Sequence, residues 1–410
     1  KFIGMFFGGQ PITAKEFGAM TALRMENTGK VRSVFDVNFD KSEFSAASIM
    51  DGWQTWAMHD VSVAVCHATR SQFASDDDRW RKLLDHLSGK EIMVNEAIDR
   101  LTKVAAYEDI YIVTNCEQAD KMREVTQGRV GEERILSEPC ARNTAACIGY
   151  AALKIVHDRG DGILVITPSD AYIKDEEAFG GILQTAVSAA ADTNKLVTIG
   201  ITPTFPATGY GYIRYRETEN AVKPVLKFVE KPTRKKAEEY LNSGCYVWNS
   251  GMFVWKASVI LKKFKRLLPE LYAQLTKISA SFGKKEEQRV LEEVYPELPS
   301  VSIDYGIMER SKDILVVPGE FGWNDVGSWD MLGALHPQDE SGNVVVGNAV
   351  NVDTKNTVIY SSGKMIAAVD VTDLIIVETP DAILVCPKSK AQDVKKIVEE
   401  LKAEGKEDLL

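Results

Sequence analysis

Two aspartates are the residues of this sequence best placed to hold a divalent cation. Asp170 closes the run ILVITPSD (163–170), in which an apolar strand meets Thr167-Pro168 before the acid. Open parallel sheets bind ligands at the carboxyl edge of their strands. An acid just beyond a buried strand there suits Mg²⁺, which takes one or two carboxylates and fills its shell with phosphate oxygens. The same side chain could instead cap a turn. Asp325 lies in WNDVGSW (323–329), between two tryptophans and before Gly327, which permits a tight bend. Joined to Asp170 it completes a two-carboxylate metal site; by itself it is a turn aspartate.

Other stretches offer binding groups. FVEKP (228–232) ends a strand with Glu230 and Lys231 adjacent. One could orient a sugar hydroxyl while the other meets a phosphate, lysine serving as a compact point charge; the alternative is a surface ion pair. TGYGYI (208–213) brings Gly209 and Gly211, where a backbone can approach a ligand closely, and WNSGMF (248–253) puts the amide of Asn249 beside Gly251. In EPCARNTAA (138–146), Asn143-Thr144 precede an alanine-rich helix and would face an anion or a base at its N-terminus, or simply cap it. The opening KFIGMFFGGQPITAK runs from a strand into Gly8-Gly9, as a phosphate loop does, but continues with a proline and no third glycine. No Ser/His/Asp arrangement, HExxH or long Walker loop is present, and five histidines give little material for histidine chemistry.

The elements that must position these groups alternate from about Glu91 onward. Apolar spacing predicts helices over 92–105, 141–160 and 176–193, the second ending at Gly160, and strands over 110–115, 163–170 and 196–201. This rhythm predicts an α/β fold: a Rossmann-like mixed, mostly parallel sheet with helices on both faces. Short strands and turns follow from Thr202 to Trp255, then one helix over 256–278. After His336-Pro337, four or five short β runs broken by Gly, Asn and Asp predict a small β-rich, β-helix-like C-terminal domain over 337–410, closed by a helix. The first domain is then 1–336. Within it, 75–87 reads as a helix with Ser75 and Asp78 as a capping box, while Thr21–Ser71 has no sustained period. Segment 10–80 is read as atypical or inserted.

Composition narrows the class. Apolar residues make up 45% and charged residues 26% of 410, the balance of a globular chain with a sizeable core. A net charge of −10 argues against nucleic acid or an anionic membrane as the main partner, because both need a basic face. Six scattered cysteines without a CxxC pair read as reduced thiols. The opening lacks the basic and long apolar regions of a signal peptide, and no apolar run is long enough to span a bilayer. A cytoplasmic protein is the expectation.

Taken together, SEPCARNTAACIGYAA, LVITPSDAYI, LVTIGITPTFPATGYGYI, FVEKP, YVWNSGMFVW, SIDYGIMER and FGWNDVGSW resemble, in order, the mannose-1-phosphate guanylyltransferases of the sugar-nucleotide pyrophosphorylase family. The β-rich end resembles that family's C-terminal domain, and the resemblance runs from Leu87 to Leu401. It implies transfer of GMP from GTP to mannose 1-phosphate, with Mg²⁺ as cofactor and a homo-oligomer as one option. By the same resemblance Asp170 and Asp325 hold the metal. Gly209, Glu230 and Asn249 bind the sugar, Lys231 its phosphate side, and Glu138, Asn143 and Thr144 lie near guanine or ribose. Lys82 stands where the family places a catalytic lysine, and Gly8-Gly9 match the start of its GGxGTR loop.

The loop is incomplete, for the residues after Gly9 supply neither the third glycine nor the arginine, and some seventy residues separate Gly9 from Lys82. Such loops cradle a triphosphate through backbone N–H groups and charge, and each lost charge-assisted contact costs about 1.5–3 kcal/mol. Poor turnover is therefore expected unless 10–80 supplies substitutes, with Arg79, Arg81 and Lys82 as candidates. The alternative reading is a binding or regulatory protein on the same scaffold.

Overall fold

The computed structural model describes residues 61–66, 92–229, 231–325, 336–379 and 382–404. The helix expected over 75–87, and the site candidates Gly8, Gly9, Lys82 and Glu230, lie outside these described residues.

The first described strand is β1 (Val61–Cys66), in the stretch that showed no sequence period. Then come α1 (Met93–Leu101), β2 (Ile110–Asn115), α2 (Ala119–Val125), β3 (Ile135–Glu138), α3 (Asn143–Arg159) and β4 (Ile163–Thr167). The pattern continues with β5 (Tyr172–Ile173), α4 (Glu176–Thr193), β6 (Leu196–Ile201), β7 (Tyr212–Tyr215), β8 (Lys223–Val229), α5 (Arg234–Ser243) and β9 (Tyr246–Lys256). After α6 (Ala257–Leu267), α7 (Pro269–Ser279) and α8 (Glu287–Val294) the chain returns to the sheet as β10 (Ile314–Gly319), followed by the short β11 (Trp323–Asn324).

Nine strands form one sheet in the order β3-β2-β1-β4-β9-β6-β10-β8-β7. Strands β3, β2, β1 and β4 run parallel, as do β6 and β10, while β9 lies antiparallel between β4 and β6. The expected mixed, mostly parallel sheet is what forms. Alternate residues of each strand feed opposite cores. Tyr111, Val113, Leu164, Ile166, Phe253 and Trp255 pack with α3, α6 and α7. Ile110, Ile112, Ile163, Val165, Val197 and Val254 pack with α1 and α4. Covering on both faces is why these strands read as unbroken apolar runs.

Three boundaries differ from the sequence reading. The helix expected over 256–278 is two helices, because Pro269 lacks an N–H and drives Leu268 out of helical geometry (φ −132°, ψ 58°). The first helix stops at Leu101, and the strand expected to reach Asp170 ends at Thr167, since Pro168 cannot donate to a ladder. Helix α5, rich in charge and with little apolar stripe, has only Ala237 buried.

The C-terminal part has six strands among the described residues rather than four or five. They are β12 (Val344–Val346), β13 (Ala349–Val352), β14 (Val358–Ser361), β15 (Ile366–Val369), β16 (Leu374–Glu378) and β17 (Ile383–Pro387), closed by α9 (Val394–Ala403). Strands β12, β14 and β16 stack in parallel, as do β13 and β15, so the chain coils in rungs. The corners need left-handed backbone, supplied by Asp353, Asn356, Asp370 and Asp373 and by Gly347 at φ +85°. A Cβ at Gly347 would lie 2.0 Å from the Ser361 carbonyl oxygen. Gly347→Ala is therefore expected to destabilise this domain by more than about 2 kcal/mol, combining left-handed strain with a backbone clash, which chemical denaturation would read out.

Candidate functional site

Strand β4 delivers its chain to the carboxyl edge, where Pro168-Ser169-Asp170 turn away from the sheet. Asp170 is 8% exposed. Two supports hold the turn. Buried Arg100 of α1 donates from Nη2 to the Ala171 carbonyl at 2.9 Å. Strand β5 pairs antiparallel with β11, Ile173 facing Trp323 and Tyr172 facing Asn324. One further step of that register would set Asp325 opposite Ala171, the residue after Asp170. Two backbone bonds extend the clasp, Lys174 N–H to the Gly322 carbonyl and Asp175 N–H to that of Phe321. The loops after β4 and β10 are thus fastened together, which brings the segments that carry Asp170 and Asp325 to the same edge of the sheet.

Asp325 has a partner the sequence did not reveal. The Tyr210 hydroxyl donates to its Oδ1 at 2.7 Å. The Tyr210 ring is set edge-on against Trp248 (5.1 Å between centroids) and Trp323 (5.5 Å), and Phe205 also contacts Trp248. A tyrosine held between two indoles keeps its hydroxyl in one place, so the carboxylate is oriented before any ligand arrives. Gly209 is exposed in the same loop. Among the described residues no group of three or more His, Cys, Asp or Glu side chains gathers as a cage. The donor set is a pair of hard carboxylates, one buried and one oriented, which fits Mg²⁺ or Mn²⁺ completing its shell with substrate oxygens.

On the neighbouring strand, Thr198 of β6 faces Phe253 while Gly200 faces Asn249, so Ser250, Gly251 and Met252 of β9 oppose the single residue Ile199. This bulge is satisfied by its own side chains. Ser250 Oγ donates to the Ile199 carbonyl at 2.7 Å and Thr198 Oγ1 to that of Met252 at 3.1 Å. Gly251 takes φ +73°, and its N–H donates to Asn249 Oδ1 at 3.2 Å. Bulges beside sites re-aim side chains; here the Asn249 amide points its Nδ2 at Asp304 Oδ1, 2.9 Å away. Lys231 is exposed with φ +43°, an uncommon backbone for a side-chain-bearing residue. Its charge acts on Asp304.

Asp304 opens a single π-turn (Asp304–Met308), a rare element that recurs at functional sites. Among the described residues it is the one charged side chain lining a pocket of about 50 Å³ bounded also by Thr144, Thr167, Pro168, Gly251 and Phe253. Burial pushes its carboxyl up to about 6, against the downward pull of the bond from Asn249 and the nearby Lys231.

The three residues expected near guanine or ribose make local bonds. Asn143, at φ +66°, accepts the Thr144 N–H on its own Oδ1 at 2.9 Å. Thr144 Oγ1 accepts the Ile303 N–H at 2.8 Å, and the Ala145 N–H donates to the Val301 carbonyl, so the start of α3 is bolted to segment 301–303. Glu138 is 1% exposed and accepts the Tyr295 hydroxyl, whose own ionisation is pushed well above the ordinary value by burial and then by this carboxylate. A strand-end glutamate gives no sequence signal of a tyrosine so far along the chain.

Comparison with known proteins agrees with this layout. Residues 78–342 match the nucleotidyl transferase family and 347–401 the MannoseP isomerase/GMP-like beta-helix domain. The chain is 39% identical to the xanthan biosynthesis protein XanB of Xanthomonas campestris pv. campestris (strain B100) over 324 residues, covering 78% of this chain and 68% of that protein. It is 37% identical to the mannose-1-phosphate guanylyltransferase of Escherichia coli (strain K12) over 335 residues, covering 78% and 69%. The solved structure of a Thermus thermophilus protein described as a mannose-1-phosphate geranyltransferase superposes with a TM-score of 0.73 at 32% identity, covering 83% of this chain and 99% of that one.

Tyr210→Phe keeps the ring packing and removes only the donor to Asp325. The expected result is roughly tenfold weaker Mn²⁺ binding in a direct titration, the usual scale for losing a group that orients a metal ligand, with the melting transition essentially unmoved.

Proposed function

We propose that this chain, which belongs to the nucleotidyl transferase family and within it to the mannose-1-phosphate guanylyltransferases, carries its chemistry on the carboxyl edge just described. It transfers GMP from GTP to mannose 1-phosphate, giving GDP-mannose and pyrophosphate. The alternative of a non-catalytic sugar-nucleotide binder is not favoured by relatives that carry the enzyme's name. The observation that supports the site assignment most directly is the β5–β11 clasp, which unites Asp170 and Asp325 from distant loops.

In the reaction a phosphate oxygen of mannose 1-phosphate forms a bond to the α-phosphorus of GTP as the bond from that phosphorus to the β-phosphate bridge breaks. Pyrophosphate leaves with the electron pair. Asp170 and Asp325 would hold Mg²⁺, which supplies charge neutralisation to the phosphate oxygens when bound. The protein's own task is positioning and electrostatic preorganisation. Lys231 supplies a positive charge for the sugar's phosphate side, Gly209 and Glu230 contact the sugar, and Asn249 orders the sugar pocket. Glu138, Asn143 and Thr144 would lie near the guanine or ribose, with Thr144 tying the start of α3 to segment 301–303 and Glu138 tying the end of β3 to Tyr295. Lys82, inside the matched family segment, is the candidate second cation for the phosphates.

The sequence after β1 is a second candidate for phosphate contact besides the opening glycines. Strand β1 lies between β2 and β4 and is parallel to both, with Val65 facing Thr167, so its chain leaves the sheet beside the Asp170 turn. The sequence that follows reads His67-Ala68-Thr69-Arg70, whose last two residues repeat the end of GGxGTR.

Pyrophosphate release from GTP with mannose 1-phosphate and Mg²⁺, with ATP and dTTP as controls, tests the activity. GTP-selective release that falls by a factor of at least ~10² in Asp170→Ala and Asp325→Ala is expected; release unaffected by either change would overturn the site. In the same assay Arg70→Ala is expected to raise the KM for GTP about tenfold or more, the loss of one charge-assisted contact, and Gly9→Ala to leave it unchanged. The reverse pattern would return the loop to the opening glycines.

A further inference from the structure

The amide of Asn249 is already engaged inside the protein. Its Oδ1 accepts the Gly251 N–H at 3.2 Å, which fixes the flip of the amide, and its Nδ2 then faces Asp304 Oδ1 at 2.9 Å. The group it presents to the pocket is therefore not itself but the carboxylate it holds. Asp304 lines that pocket beside Thr167, Pro168 and Gly251, at the carboxyl edge next to the Asp170 turn. Its backbone is fixed from two sides. The Ile303 N–H and the Val301 carbonyl are tied to the start of α3, and the Asp304 carbonyl accepts the Glu309 N–H at 2.8 Å in the π-turn. A carboxylate so anchored, with one oxygen on an amide and its face in a pocket, is an acceptor for hydroxyl donors.

We propose that Asp304 accepts hydrogen bonds from the hydroxyls of the sugar phosphate, and that Asn249 is the positioning residue that aims it. The inference rests on the reading that this edge takes a sugar 1-phosphate, and it moves direct hydroxyl recognition from Asn249 to Asp304. The charged groups acting on Asp304 are Lys231, which favours its ionised form, and Glu309, which opposes it. An ionised Asp304 only accepts hydrogen bonds, so sugar affinity should fall as the pH drops through about 6.

The test is a cycle between enzyme variants and deoxy substrates, using the full chain. Binding of mannose 1-phosphate and of GDP-mannose is measured by calorimetry, and KM and kcat by pyrophosphate release, for wild type, Asp304→Asn and Asn249→Ala. Mannose 1-phosphates lacking single hydroxyls complete the cycle. Asp304→Asn, near-isosteric, is expected to weaken the sugar ligands by roughly tenfold or more, as for a bond to a charged acceptor. KM for GTP and kcat should stay within about threefold. One deoxy substrate should bind wild type and Asp304→Asn equally, because the bond is already gone. Asn249→Ala should shift the pH at which sugar affinity is lost upward relative to wild type. The phosphate of the substrate titrates alike in every variant, so the difference between variants isolates Asp304. If wild type binds the sugar ligands and Asp304→Asn binds them equally well, or loses GTP and sugar alike, Asp304 is only a structural prop and the proposal falls. If wild type binds no sugar ligand at all, the sugar-phosphate reading itself fails and takes the proposal with it.

Discussion

The short ladder between β5 and β11 is the constraint on which the site depends. Asp170 and Asp325 are 155 positions apart in sequence, and among the described residues nothing in the main sheet pairs the loops that carry them. Two like charges will not stay neighbours on independent loops, because repulsion and loop entropy both favour separation. Four facing residues, two further backbone bonds and the Arg100 anchor on Ala171 remove that freedom. Arg100 is itself held by an ion pair to Glu96 within α1. The aromatic group of Phe205, Tyr210, Trp248 and Trp323 then converts apolar packing into orientation of a carboxylate.

A second constraint is the reversed strand β9. Placed antiparallel between β4 and β6, it lets one continuous strand border both the Asp170 turn and the loop that ends at Gly211, whose carbonyl accepts the Asn249 N–H. A regular ladder would send alternate β9 side chains straight up and down. The bulge at Ser250–Met252 breaks that alternation where Asn249 and Gly251 stand, and the ladder groups it frees are taken up by Ser250 and Thr198. The Asp170 turn and the Asn249 bulge are therefore carried by adjoining strands of one sheet.

What the sequence disclosed follows from how much of each element's pattern is local. Strands 110–115 and 196–201 and the helix 176–193 are legible to the residue, because burial on both faces or a long apolar stripe writes the element into its own residues. The break at Pro269 was legible in principle, since a proline followed by Glu270 is a helix start as much as a helix interior. Helix α5 and strand β1 carried weaker signals, one for want of an apolar stripe and the other for alternating Ser and Ala. Asp170, Asp325 and Asn249 could be singled out as candidates because strand ends and glycine turns mark the edge of a sheet. Tyr210, Arg100 and Asp304 could not, for their roles are defined by partners 115, 71 and 55 positions away. Glu138 shows the converse: a motif residue at a strand end whose contact is Tyr295 in the core.

The placement of β1 changes how the opening of the chain bears on function. An apolar run followed by two glycines has the local chemistry of a phosphate loop, but a loop works only where the sheet delivers it. Delivery requires a strand parallel to β4 and adjacent to it, so that its carboxyl end points at the same ligand. Val61–Cys66 satisfies both conditions, its residues facing Ile163 to Thr167 in register. The sequence between Cys66 and Lys82 has no glycine, so close backbone approach to a triphosphate is less available there than in GGxGTR. An arginine at 70 and a lysine at 82 stand in the same stretch of sequence, and on the proposed reading they would contribute charge in place of backbone N–H groups. On that reading phosphate binding would rest more on charge than on backbone N–H groups. Charge-based contact is screened by salt, so on that reading nucleotide affinity in this chain should fall as ionic strength rises.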